Sequence, residues 1–343
     1  MEKVYYKAID YAKVICAILV VCVHTGPLLS INEEMNFFLV QVLARCAVPF
    51  FFLSSAFFFF KKIDRSKDLD EDCNIHALRK YLFHLGRMYL FWSLVYFSIQ
   101  IVIWIAGGFT MHSFLLYVRD FFFRGSYYHL WFLPALMLGV FLVYILLSVL
   151  KDEEVLFGSL ILYGIGMLIN VYGDVLKVIP VVGSLLKIYS TIFATARNGF
   201  FFAPIFVMMG YYLAQKKLRM NKWILYPGLI LSFGLLVFEA YTIKSFGIMN
   251  DLTCMYVSLL PLVFILFQVL LTFKSNKKTT PVLRNGSTLL YLSHCYFTFL
   301  LQYVPIINEN SLLYFIFTMI ISIGFMIGYM RMSHKWTFLR KVI

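Results

Sequence analysis

The chain has 343 residues, of which 62% are hydrophobic and only 14% charged, with a mean hydropathy of +0.83. No soluble globular domain needs that much apolar surface, so composition excludes the soluble classes and predicts an all-α polytopic membrane protein. The formal net charge of +13 is not a nucleic-acid footprint; much of it sits in short loops between apolar runs, where it sets topology and meets the lipid bilayer.

The first apolar run, Asp10 to Leu29, reads DYAKVICAILVVCVHTGPLL. It carries Lys13 near its start and His24 deep inside. Helical geometry puts the two within roughly 20° of one face and roughly 16 Å apart along the axis. Asp10, one turn before Lys13, joins that face. No small-residue cleavage site follows, so the run reads as a retained helix rather than a signal peptide. An ionisable residue inside a membrane helix is costly and by default marks a functional site. The alternative is a neutral His24 bonded to a neighbouring helix and a Lys13 that snorkels to the surface.

In order, the chain gives about ten transmembrane helices, at approximately 11–30, 36–60, 81–106, 129–150, 155–173, 199–215, 223–243, 253–273, 286–304 and 312–331. The second holds Arg45, with Pro49 four residues on. That proline can break the helix and free backbone groups for a ligand; the alternative for Arg45 is pairing with an acidic residue of a neighbouring helix. On the third, His84 and Arg87 share a face. Snorkelling accounts for His84, while Arg87 lies one turn deeper. His129 and Trp131 stand at the mouth of the fourth, where Tyr127, Tyr128 and Trp131 resemble an interfacial belt. The fifth and sixth spans are short or interrupted by glycine. Arg197 and Asn198 begin the sixth. His294, in LYLSHCYF, is buried in the ninth, as a packing or a catalytic histidine.

Charge sets the orientation. Basic residues cluster at Lys3 and Lys7, through 61–80, at Lys216, Lys217, Arg219 and Lys222, at Lys274, Lys277, Lys278 and Arg284, and in the tail from Arg331. With ten spans all these fall on one side, which places both termini in the cytoplasm. The opposite loops include the acidic SINEEMN and INENS. Two outer connections are long, 107–128 and 174–198. The second is apolar, is broken by Pro180 and Gly183, and reads as re-entrant or interfacial. Cys16, Cys22, Cys46, Cys73, Cys254 and Cys295 show no spacing for a disulfide framework or a zinc site, and no metal is expected. No internal repeat or long linker divides the chain.

At these residues the chain resembles the acyltransferase 3 family of integral-membrane acyltransferases. The resemblance lies in Lys13 and His24 of AIDYAKVICAILVVCVHTG, in RCAVPFFFLSSAF, in HLGRMYLFWSLVY around Arg87, in HLWFLPALMLG, in ARNGFFFAPIFVMMGYYLA and in LLYLSHCYF. It runs from about residue 6 to about 330. Two letters depart from the family: Lys13 stands where arginine is usual, and Ser55-Ala56 where Ser-Gly is common. Lysine keeps the charge but loses the planar fork.

The resemblance implies that residues 1–343 form a single integral-membrane acyltransferase domain of a bacterial cytoplasmic membrane. It implies transfer of an acyl group, typically acetyl, from acetyl-CoA or another acyl-CoA to a hydroxyl of a cell-surface or lipid-linked carbohydrate. His24 would then be the catalytic residue, as general base or as acyl carrier. Lys13, Arg45 and Arg87 would bind the donor, and His129, Trp131, Arg197, Asn198 and His294 the acceptor. Two other classes stay open. A transporter or flippase of a glycan intermediate would favour inverted repeats. A non-catalytic receptor or scaffold would leave His24 replaceable.

Overall fold

A computed structural model describes residues 5–216, 218–248, 255–273, 275 and 280–343. Lys3, Lys217, Lys274, Lys277 and Lys278 of the basic clusters, and Cys254, lie outside the described residues. The chain is 79% helical and has no strand among the described residues.

Among the described residues, twelve longer helices follow in order. They are α1 (Lys7–Thr25), α2 (Glu33–Phe60), α3 (Asp72–Gly107), α4 (Met111–Phe123), α5 (Phe132–Val149), α6 (Asp152–Val171), α7 (Pro180–Ile192), α8 (Ala203–Tyr211), α9 (Lys222–Ser245), α10 (Leu259–Thr272), α11 (Pro281–Leu301) and α12 (Ser311–Lys335). Among the described residues, seven of them are long and apolar enough to cross a membrane: α1, α2, α3, α5, α6, α9 and α12. The chain is therefore an all-α multi-pass membrane protein. The sixth, eighth and ninth expected spans also form helices but do not meet that measure. The sixth, α8, has 9 residues and runs on as a π-helical turn, Tyr212–Lys216; the eighth, α10, has 14. The ninth, α11, has 21 residues and is diluted by Arg284, Asn285, Ser287, Ser293 and His294.

Two expected boundaries move. The first helix stops at Thr25, because Gly26 adopts φ +53° and its N–H caps the Cys22 carbonyl at 2.9 Å. A left-handed glycine followed by proline is a helix stop. In α2 the break lies just before Pro49. Phe38–Val42 is π-helical and Leu43–Cys46 is a 3-10 turn, and the regular helix resumes at Ala47. Proline has no N–H for the carbonyl four residues back, which is that of Arg45.

The backbone groups into two compact units, one of residues 1–51, 219–240 and 258–343, the other of 52–218 and 241–257. In the first, α1 packs on α11 and α12. Ala17, Val21 and Leu290 form its buried centre, with Ile18, Phe315 and Met319 around them. Between α11 and α12 a Cβ at Gly286 would stand 2.8 Å from Met326 Sδ, the kind of small-residue contact by which helices associate where lipid offers no hydrophobic drive. The turn after α1 is tied to α12: the Ser30 N–H donates to Ser311 Oγ at 2.9 Å, and Ser311 Oγ donates to the Pro27 carbonyl at 3.2 Å.

In the second unit α8 is the hub. Every residue from Ala203 to Tyr211 is buried, as expected of a helix apolar on all sides. Small residues set its contacts: a Cβ at Gly139 would stand 2.5 Å from Ala203 Cβ, and one at Gly210 would stand 2.7 Å from the Leu53 carbonyl. At one end Asp152, 8% exposed, accepts from Tyr211 Oη at 2.9 Å and pairs with Lys216 Nζ at 2.7 Å and Arg65 at 3.6 Å. That carboxylate raises the Lys216 ammonium above its ordinary value, through the hydrogen bond first and its charge second. The helix α7 has 13 residues, about 20 Å of rise and too short to span a bilayer.

Candidate functional site

The residues expected to matter fall into two groups, one in each unit. In the first unit His24 sits on the last turn of α1 and is half-buried, while His294, on α11, is fully buried. Their ring centroids are 5.2 Å apart. His294 Nδ1 lies 3.0 Å from the Leu290 carbonyl, one turn back, and Nε2 lies 3.1 Å from Cys295 Sγ. A carbonyl only accepts, so Nδ1 carries the proton and Nε2 takes the thiol's. Both nitrogens of His294 are thus engaged, which suits it to fix its surroundings rather than to move a proton. His24 Nδ1 or Nε2, His294 and Cys295 also present one ligand atom each within 4.8 Å of one another. Two imidazoles and a thiol are a donor set that a zinc-class cation accepts.

Lys13 lies on the same helix as His24, half-buried near the opposite end, with Asp10 and Arg284 as its charged neighbours. Asp10 is itself 8% exposed. Arg45 lies in the 3-10 turn of α2. Its Nε donates to Gln41 Oε1 at 2.9 Å, and its Nη2 bonds the same oxygen. One partner of Arg45 is thus an amide of the same segment.

Arg87 belongs to the second unit. Its side chain is exposed and that of His84 is half-buried. Arg87 lies with Arg79 along an apolar groove formed by Leu78, Leu82 and Phe141.

The second group forms around the turn that leads into α5. Gly125, at φ +92°, brings the chain so close that a Cβ there would lie 2.5 Å from the Trp131 backbone nitrogen. His129 is buried against Tyr96 and Tyr127, at 4.8 and 5.8 Å between ring centroids. Arg197 lies over the Trp131 ring at 5.3 Å. Asn198 is a loop residue by its bonds: Oδ1 accepts from the Phe200 and Phe201 N–H groups, and Nδ2 donates to Tyr189 Oη at 2.7 Å and to the Thr195 carbonyl. Its amide is spent on shaping the turn into α8.

Residues 6–331 match the acyltransferase 3 model, described as an acyltransferase domain. The chain belongs to the acyltransferase 3 family. An amino-acid racemase of Enterococcus faecalis is 32% identical over 80% of this chain and 37% of that protein. A serine/alanine racemase of Enterococcus gallinarum is 28% identical over 96% of this chain and 47% of that protein. The chain spans less than half the length of these curated relatives, so their names describe proteins larger than the part it matches. No solved structure matches it.

Sequence reasoning passed over several residues of this acyltransferase 3 domain. Cys295 stood beside His294 in the sequence, and only the helix geometry gives it a partner. Asn170 lies in α6, with no sequence signal. Its amide bonds Thr195 Oγ1 at 3.0 Å and the Ala196 N–H at 2.8 Å, and Thr195 Oγ1 in turn accepts from the Arg197 N–H at 3.1 Å. Arg119 and Arg124 close the C-terminus of α7. Arg119 donates to the Thr191 carbonyl at 3.0 Å, and Arg124 to those of Ser190 and Ile192 at 2.6 and 3.2 Å. These are the carbonyls a helix leaves unbonded.

Proposed function

We propose that this acyltransferase moves an acyl group, most commonly acetyl, from acyl-CoA to a hydroxyl of a cell-surface or lipid-linked carbohydrate in a bacterial cytoplasmic membrane. The proposal takes residues 1–343 as one catalytic domain with ten crossings and both termini cytoplasmic. The observation that carries it is the position of His24, half-buried on α1, 5.2 Å from His294 and on one helix with Lys13. A base for an acceptor hydroxyl has to take a proton and give it up again near neutral pH, and imidazole is the side chain suited to that. In this scheme His24 takes the acceptor proton as the oxygen attacks the thioester carbonyl, the C–S bond breaks, and the departing thiolate of coenzyme A receives that proton from the imidazolium. Lys13, Arg45 and Arg87 are assigned to the anionic donor, and His129, Trp131 and Arg197 to the acceptor. Asn198 shapes the acceptor loop, and His294 holds the surroundings of His24.

The test is release of coenzyme A when acetyl-CoA and cell-envelope extract are added to the purified protein. His24→Gln keeps hydrogen-bonding capacity but is no base near neutral pH. It is expected to fold and to lose about 10²–10⁴-fold in rate. A His24→Gln variant with near-normal release would make His24 a packing residue. Uptake of solute without release of coenzyme A would select a transporter instead.

A further inference from the structure

The second unit holds a cavity of about 620 Å³ between α3, α4 and the loops that precede α5 and α8. That is the size of a site for a small ligand. One side of it is aromatic. Trp104, Tyr127, Tyr128 and Trp131 contribute to the lining, and the Tyr127 and Tyr128 rings lie 4.7 Å apart. Flat apolar faces beside polar groups suit a ring that carries hydroxyls.

The charges in the wall are of two kinds. Asp120 is paired with Arg119 at 2.8 Å and with Arg124 at 3.5 Å, and both arginines also bond the end of α7. The fold itself uses these three. Arg197 is different. Its Nε is buried and has no hydrogen-bond partner among the described residues. Its own N–H and the residue before it are held by Thr195 and Asn170, and the residue after it, Asn198, is held by Tyr189 and the Phe200 N–H. A buried donor left unbonded is unfavourable and rare in folded proteins, and it asks for an acceptor. The guanidinium offers Nε and Nη as a planar fork that matches two oxygens of one anionic group. The nearest acid in the wall, Asp120, is already neutralised, so it does not oppose an anion.

We infer that the acceptor carries a carboxylate or a phosphate, held by Arg197 while its ring lies against the aromatic wall of this cavity. The inference rests on the acceptor role proposed above for Arg197 and Trp131, and it narrows the substrate class to an anionic carbohydrate.

The experiment is equilibrium binding to the full-length protein in nanodiscs without donor, read by quenching of tryptophan fluorescence. Three probes are used: D-glucuronate, D-glucose 6-phosphate and D-glucose. At least one anion is expected to bind about tenfold or more tightly than glucose. Arg197→Gln removes that preference, and Arg197→Lys, a point charge without the fork, restores part of it. Tighter glucuronate identifies a carboxylate, tighter glucose 6-phosphate a phosphate. Equal binding of all three probes to the wild type overturns the inference, and so does a preference that survives Arg197→Gln. The wild-type comparison decides alone where the variant does not fold. The proposed reaction fails separately: anion preference without any release of coenzyme A would leave this binding site standing and remove the acyl transfer.

Discussion

At the scale of single residues, Lys13 gives the sharpest separation of binding from mere placement. It lies on α1 with His24, and Asp10, 8% exposed, is its acidic neighbour. A cation that holds a phosphate of the donor makes charge-assisted hydrogen bonds worth about 1.5–3 kcal/mol, or roughly 10–100-fold in affinity. Lys13→Ala is therefore expected to weaken acetyl-CoA binding by that factor, and Lys13→Arg to retain it. Calorimetric titration of the purified protein measures both. The alanine variant also removes the opposite charge beside Asp10, so its thermal unfolding is compared with that of Asp10→Asn. Wild-type affinity in Lys13→Ala would leave surface snorkelling as the account of Lys13. Lys13 and His24 were legible in the sequence because each interrupts an apolar run. The closeness of His24 to His294 was not, since the two stand near opposite ends of the chain and only the packing of α1 on α11 brings their rings together.

At the scale of elements, apolar runs announce helices and hide how they end. The Gly26-Pro27 stop was present in the first run, yet hydropathy continued past it. Pro49 announced a break in α2, and the break lies in the turn before it, where the carbonyl that proline cannot serve is found. The connection 174–198 read as apolar and broken, and it forms α7 followed by the loop that carries Arg197. That loop depends on a neutral Tyr189. Its hydroxyl accepts from Asn198 Nδ2 and donates to the Thr195 carbonyl at 3.2 Å. Burial pushes the Tyr189 hydroxyl up to about 12, with the Asn198 bond acting weakly against that rise. The folded value lies above the unfolded one near 10. The stability this group contributes is thus fully present below about pH 10 and is lost as pH climbs toward 12. Hydrogen exchange of residues 193–198 is expected to speed up over that alkaline window. In Tyr189→Phe the same loop should exchange faster at neutral pH and lose the alkaline step. An unchanged alkaline step in the phenylalanine variant would assign it to another tyrosine.

At the scale of the whole molecule, composition alone yields a polytopic helical protein, and the seven apolar helices of membrane length agree with it. The number of crossings depends on the elements least typical of a membrane span. The helix α8 is short and buried on every side, and α11 buries Ser287, Ser293, His294 and Thr298 along its length. A scale that rewards apolar length undervalues both. Charge gives an independent count. Lys216 falls on the side of Lys7 and the run from Lys61 to Lys80 only if α8 crosses, the tail from Arg331 joins them only if α10 and α11 both cross or neither does, and Arg284, at the start of α11, joins them only if α10 crosses, so that both do. If α8 alone failed to cross, the basic clusters on either side of it would lie across the membrane from one another, against the positive-inside rule. We therefore expect ten crossings, with the tail RMSHKWTFLRKVI in the cytoplasm. Single cysteines placed in a background without native cysteines test this by labelling of intact cells with an impermeant maleimide. Positions 68 and 338 should stay unlabelled until the cells are opened, and position 309 should label at once. Labelling at 338 in intact cells would place the tail outside and reduce the count to nine or raise it to eleven.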